Sequence, residues 1–150
     1  MSWANQRVFE IVQTLPLEAL ESYLTNPEFT VAKILHHIVD GAEWYGYCIT
    51  GQHHGFKQVY PKEMGDVAVL AAQLLIFDAT LLEQSARDDE MLSIVEGEVA
   101  TRNLLSTLIA QSVHHATEHR AQLVDALELR GYPAINLDDL DLWAFEAFER

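Results

Sequence analysis

Apolar residues recur along most of this chain at the three- and four-residue spacing of an amphipathic α-helix, and this periodicity limits the possible folds most strongly. The segment VAKILHHIVDGAEWYGYCIT predicts a helix over Val31–Thr50, with Thr30 as its N-cap and Gly51 after its end. A longer pattern predicts another helix from Thr101 to about Arg130, ended by Gly131. These two segments give the strongest helical signals in the chain.

Two shorter helices are predicted beside them. One runs from about Trp3 to Leu15, where Pro16 stops it. The other is capped by Asp66 and runs to about Ser85. Residues 51–65 hold three glycines and a proline and predict a long loop. The stretch MLSIVEGEVA is compatible with a short strand, a hairpin or an extended linker, and the tail INLDDLDLWAFEAFER predicts a turn plus a short helix.

Four amphipathic helices, each with one apolar stripe, predict an all-α fold. We expect an antiparallel four-helix bundle with a short helical C-terminal tail, formed by one domain over residues 1–150. With 49% hydrophobic residues, a chain of 150 residues is large enough to bury a core. An apolar helix face left over in so small a bundle also makes a homodimer an expectation.

Charge and composition exclude several functions. The 23 acidic and 9 basic residues give a formal net charge of −14, which would repel nucleic acid and anionic membrane surfaces. The N-terminus lacks a signal-peptide layout, and no uninterrupted apolar run approaches the length of a membrane helix. The single cysteine, Cys48, is expected to be a buried core residue rather than a nucleophile, in a protein of the reducing cytoplasm.

The stretch VHHATEHRAQL is the most unusual part of the chain. At about 100° per residue, His115 and His119 fall on the apolar stripe of the fourth helix, whereas His114 and Glu118 fall on its polar side. Residues four apart lie one above the other on a helix, so these two imidazoles can converge on one metal ion. In the second helix, His37 lies at the edge of the stripe beside Gly41, which leaves room for a neighbour, and is the candidate third ligand.

Other interpretations of the histidines remain open at this level. His37, His115 and His119 could be core histidines satisfied by hydrogen bonds, while surface positions are expected for the other four: His36, His53, His54 and His114. No Glu precedes any histidine by three residues, which excludes a di-iron carboxylate site. HATEH also matches the H-x-x-E-H pattern of inverted zinc peptidases, in which Glu118 would be the general base, but those enzymes are much larger.

Four stretches of the sequence resemble the DinB/YfiT-like superfamily. SWANQRVFEIVQTLP is similar to its opening helix, and TVAKILHHIVDGAEWYGYCITG to its second helix, which carries one histidine ligand. HHATEHRAQLVDALELRGYP resembles its H-x-x-x-H-R-x-Q signature, and LDDLDLWAFE its closing D-L-W. The resemblance places the family's metal triad on His37, His115 and His119. Two positions depart from the family pattern, Glu118 where His is frequent and Ala121 where Gly is frequent.

The resemblance also implies an activity. Members bind divalent ions such as nickel or zinc, and some are transferases or isomerases that use low-molecular-weight thiols. For this chain the resemblance implies nickel or zinc, with iron or manganese as alternatives. We therefore expect a small-molecule substrate, with Glu118 as a candidate catalytic group, Gln122 as an orienting one, and Trp44 and Tyr45 as pocket walls or packing residues. The alternatives are a metal-assisted hydrolase and a non-enzymatic metal-binding module that engages a protein partner.

Overall fold

The computed structural model of the chain describes residues 1–56 and 60–149 and is mostly helical. Part of the predicted loop, residues 57–59, lies outside the described residues. Short 3₁₀ turns at Leu17–Glu21 and Leu137–Leu140 precede the second and the last helix. The helices and strands are α1 (Ser2–Val12), α2 (Val31–Thr50), α3 (Met64–Gln84), β1 (Met91–Glu96), β2 (Val99–Leu104), α4 (Leu105–Leu129) and α5 (Leu142–Phe148).

The four longest helices share one apolar core. α2 packs against both α3 and α4, and α1 packs mainly against α3. Each contributes side chains that are almost completely buried, among them Phe9, Leu35, Leu74 and Leu123. α2 therefore occupies the middle of the molecule, which brings its face into contact with α4.

The predicted boundaries of α2 are confirmed, and those of α1 and α3 shift slightly. α1 ends three residues early. Leu15 directly precedes Pro16, and a proline ring disfavours helical geometry at the residue before it. α3 begins at Met64 with Glu63 as its N-cap, so the expected cap position of Asp66 is wrong. Asp66 lies in the first turn, where it accepts hydrogen bonds from the backbone N–H of Lys62 and Glu63 in a capping box.

The all-α expectation is wrong in one element. β1 and β2 form an antiparallel hairpin in which Ile94 pairs with Thr101, so the predicted start of α4 at Thr101 is also wrong. The turn contains Gly97 with a positive φ of 59°, and helix geometry begins only at Leu105. The Asp89 carboxylate accepts hydrogen bonds from the N–H and hydroxyl of Ser106 and so joins the hairpin's start to the helix.

α4 ends as its sequence predicts. Gly131 has a φ of 87°, its N–H donates to the Glu128 carbonyl, and the N–H of Tyr132 donates to the Leu127 carbonyl. This pair of bonds is the Schellman arrangement that satisfies the last carbonyls of a helix. The C-terminal tail forms the expected turn and short helix, and Phe145 and Phe148 of α5 pack on Trp3.

α3 is apolar on two faces. One face enters the core, and the other, here called the α3 outer face, is exposed and consists of Ala68, Val69, Ala72, Leu75, Ile76, Ala79 and Leu82. Gln73 and Asp78 interrupt the apolar run of α3. Among the described residues α3 is nevertheless the one helix long and apolar enough to cross a membrane, with a mean hydropathy of 1.7 over its most apolar 18-residue window. A third of that window is buried inside the protein.

Candidate metal centre

Three histidines meet where α2 crosses α4. His37 lies in the first half of α2, and His115 and His119 lie one turn apart on α4. One ring nitrogen from each lies within 4.8 Å of the others, and the ring centroids are 4.5 to 4.8 Å apart. All three side chains are partly buried. The structure therefore brings together the three residues that the sequence singled out.

The donor set of this cluster suits a divalent metal ion. Nε2 of His37 and Nε2 of His115 are 3.2 Å apart, close to the roughly 3.3 Å expected between two imidazole nitrogens on one tetrahedral zinc. Burial, followed by the proximity of His119 and His37, lowers the pKa of His115 to about 4. Burial also lowers the pKa of His37. Both rings are thus held neutral, the form in which imidazole binds a metal.

Neighbouring side chains fix the orientation of the rings. The Gln122 side-chain oxygen lies 2.8 Å from Nδ1 of His119, so Nδ1–H donates to it and Nε2 keeps its lone pair. Phe29 makes edge contacts with the rings of both His37 and His119, at centroid distances of 5.9 and 6.0 Å. The structure thus places Gln122 against His119, and its orienting role stays a prediction.

Tyr45 and Glu118 lie beside the cluster rather than in it. The Tyr45 ring is buried and edge-on to His115, at a centroid distance of 5.8 Å. Burial raises the pKa of Tyr45 most, a hydrogen bond from Gln111 opposes this, and the negative charge of Glu118 adds a smaller increase. Glu118 itself is exposed. Its catalytic role stays a prediction.

The remaining histidines divide into two groups. His53, His54 and His114 are exposed, as expected. His36 is only 4% exposed, so its expected surface position is wrong. Residues after α2 fold back over this side of the helix, and the His36 ring packs against Phe56 and Tyr60 at centroid distances of 5.1 and 4.6 Å. A helical wheel cannot show that a later loop covers a face.

A buried polar network behind the cluster was not predicted. The Asn5 amide donates to Asp78 at 2.9 Å and accepts from the Arg120 guanidinium at 2.5 Å. Arg120 also donates to the Thr117 hydroxyl at 2.9 Å. Burial raises the pKa of Asp78, and Asn5 opposes that increase. The network links α1, α3 and α4, and Arg120 directly follows the candidate ligand His119. The only sequence signal for it was a lone Asp in the apolar run LLIFDATLL.

The fold and the cluster together define a mostly helical protein with a three-histidine site able to hold a metal ion. The sequence matches the profile of the DinB family over residues 1–147, and the chain belongs to this metal-associated family. No match was found among curated proteins or among solved structures.

Proposed function

We propose that this protein is a metal-dependent enzyme that transfers or isomerises a small substrate with the help of a low-molecular-weight thiol. The observation that carries the proposal is the composition of the cluster, three histidine nitrogens with none of the further ligands of a closed structural site among the described residues. Three neutral protein ligands leave coordination positions for a reactant, as in catalytic rather than structural metal sites.

His37, His115 and His119 would hold nickel or zinc, with iron or manganese as alternatives. A divalent ion at this position supplies Lewis-acid chemistry and lowers the pKa of a thiol or water that it coordinates. The protein's own part is to keep the imidazoles neutral through burial and to orient His119 through Gln122. Glu118 would take up or deliver a proton at the rim, a role supported by its exposed position directly before the candidate ligand His119.

The function is tested with protein loaded separately with nickel, zinc, manganese or iron. Each form is incubated with common biological thiols and an electrophilic or isomerisable substrate, and loss of free thiol and formation of product are followed. We expect turnover with at least one pair, lost in His119→Ala and retained in His114→Ala, since His114 is exposed. Turnover of simple esters or amides without thiol would instead favour the hydrolase. Metal binding without any turnover would favour the non-enzymatic module.

We further propose that α1 to α4 form the four-helix bundle of the family as a single domain in the cytoplasm, and that two copies associate through the α3 outer face. Ala68, Ala72, Leu75, Ala79 and Leu82 of that face repeat at alternating four- and three-residue steps, the spacing by which helices of two chains interlock. Between Asp66 and Glu83 the only charged residue of α3 is Asp78, which is buried. A face without charge on so acidic a chain favours a second copy as its partner.

A further inference from the structure

A cleft opens between the hairpin, α2 and α4, beside the histidine cluster. Its volume is about 370 Å³, within the range of small-molecule sites. The residues around it, here called the hairpin cleft, are Trp44, Tyr45, Ile94, Thr101, Asn103, Thr107, Leu108 and Gln111. The hairpin builds one wall, so the cleft exists because residues 101–104 form a strand rather than the first turn of α4.

The apolar part of the cleft suits a flat group. Tyr45, Ile94 and Leu108 are all buried, whereas Trp44 is 37% exposed. The rings of Trp44 and Tyr45 stand nearly perpendicular, 78° apart, with their centroids separated by 4.9 Å. A flat ring inserted here could lie against one aromatic face and meet the edge of the other, the arrangements that aromatic pairs prefer.

The polar part of the cleft is uncharged. Thr101 and Asn103 alternate along β2 and therefore point to the same side of the hairpin as Ile94, the partner of Thr101. Thr107 and Gln111 lie one turn apart on α4. Hydroxyl and amide groups both donate and accept hydrogen bonds, while the described lining residues hold neither a cation for an anionic group nor a carboxylate for a cationic one.

The cleft lies next to the metal centre. Tyr45 both lines the cleft and contacts the ring of His115. Gln111 precedes His115 by one helical turn, a rise of about 6 Å. A molecule seated in the cleft would therefore lie about one helical turn from His115.

We propose that the hairpin cleft binds the non-reacting part of the substrate, and that this part is an uncharged ring carrying hydrogen-bonding groups. The inference rests on the proposed function for the reacting end of the substrate, but the cleft's preference for a neutral ring stands on its own lining residues. Asn103 and Thr107 act as specificity-determining residues, and Trp44 supplies the stacking surface.

The direct test uses metal-free, ¹⁵N-labelled protein titrated with benzamide, benzoate or benzylamine. Benzamide should shift the indole N–H signal of Trp44 and the side-chain amide signals of Asn103 and Gln111. Benzoate and benzylammonium should bind about tenfold more weakly, because no lining group compensates the loss of their hydration. The proposal is overturned if these signals stay unchanged, or if the charged compounds bind as well as benzamide.

Variants separate recognition from folding. Asn103→Ala combined with Thr107→Val should weaken benzamide binding about tenfold while the remaining backbone signals keep their positions. Asn136→Ala, at an exposed asparagine before the last 3₁₀ turn, should leave it unchanged. If the double variant binds benzamide as tightly as the unaltered protein does, Asn103 and Thr107 do not determine specificity.

A second measurement distinguishes failure of the cleft from failure of the metal centre. Zinc-loaded protein should bind benzohydroxamate about tenfold more tightly than acetohydroxamate, which lacks the ring, and Trp44→Ala, which removes the stacking surface, should lose that difference. If zinc does not bind, the metal centre is refuted. The benzamide titration of metal-free protein then still decides whether the cleft binds an uncharged ring. If zinc binds but the ring adds no affinity, the cleft proposal alone fails.

Discussion

Gly41 on α2 faces the ring of His115 on α4 so closely that a side chain at position 41 has no space. A Cβ added to Gly41 would lie 2.8 Å from Nδ1 of His115 and closer still to Cε1, nearer than real Cβ atoms come to other atoms. The absence of a side chain at Gly41 therefore lets His115 approach His37. The sequence placed Gly41 one turn after His37 with room beside it, and the structure shows that His115 takes that room.

Gly41→Ala should weaken metal binding by displacing the His115 ring. We expect at least about a tenfold loss of zinc or nickel affinity by calorimetric titration, comparable to the loss of a group that orients a ligand. Gly46 lies on the same helix with no atom near its missing Cβ, so Gly46→Ala is the matched control. It should retain metal affinity and gain about 0.5–1 kcal/mol of stability. Equal affinities in the two variants would show that His115 does not hold the ion.

Replacement of each cluster histidine should abolish stoichiometric metal binding. His37→Ala, His115→Ala and His119→Ala each remove one of three ligands, and elemental analysis of purified protein should find little bound metal. His114→Ala removes an exposed imidazole next in sequence to His115 and should bind as much metal as the unaltered protein. The three-histidine assignment fails if His114→Ala loses metal or if a cluster variant keeps it.

The metal-free protein should lose stability through His115 as the pH falls from about 6.5 towards 4. The pKa of His115 is about 4 in the folded protein, against an ordinary value of 6.5. Between these two pH values His115 is therefore protonated in the unfolded chain but neutral in the folded one. Acidification also reduces the net negative charge, so the comparison is with His115→Gln. Thermal unfolding across this range should show a steeper loss for the unaltered protein, and parallel curves would contradict the lowered pKa.

Asn5→Ala should destabilise the fold although Asn5 touches no candidate ligand. The change leaves buried polar atoms of Asp78 and Arg120 without the partner they share, at a cost of about 1–3 kcal/mol. Urea unfolding measures the difference. Asn26→Ala is the control, because Asn26 is exposed and its side chain accepts a hydrogen bond from Glu28 within its own turn. Its effect on the free energy of unfolding should stay within about 0.5–1 kcal/mol. Similar losses in both variants would argue against a structural role for the network.

Leu75→Glu should convert the proposed dimer to a monomer. Leu75 is 52% exposed at the middle of the α3 outer face, where a carboxylate would be forced against the second copy. Leu129→Glu, at a 61% exposed leucine of α4, is the control and should stay dimeric. Light scattering coupled to gel filtration gives the mass. An unaltered protein that is monomeric would overturn the proposal. An unaltered protein that requires detergent to remain in solution would overturn it as well, and would favour a membrane as partner of this face.

The candidate site was predictable because its ligands follow the rules of regular helices. His115 and His119 are four residues apart, and α2 and α4 are regular over many turns, so a wheel identifies the faces that meet. His36 was wrongly placed at the surface, since the residues covering it come after the helix and have no periodicity of their own.

Hydrogen bonds and strand pairing between distant segments could not be predicted from sequence patterns. Asn5, Asp78 and Arg120 lie on three helices and are separated by up to 115 positions, so no local spacing reveals that they bond. The sequence allows a hairpin as one of several options, but it predicts helix for residues 101–104 of the second strand. Thr101 and Asn103 fit a helical pattern in sequence, and only pairing with β1 decides their conformation.

The metal ligands and the hairpin wall of the cleft belong to different parts of the chain. The three histidines are fixed by α2 and α4, whereas Ile94, Thr101 and Asn103 come from a two-stranded ribbon that carries none of them. Ribbon positions can therefore be exchanged in a library while the helical scaffold and its imidazoles remain constant. A DinB protein of this kind offers a route to new ligand preferences in which the three-histidine cluster need not be redesigned.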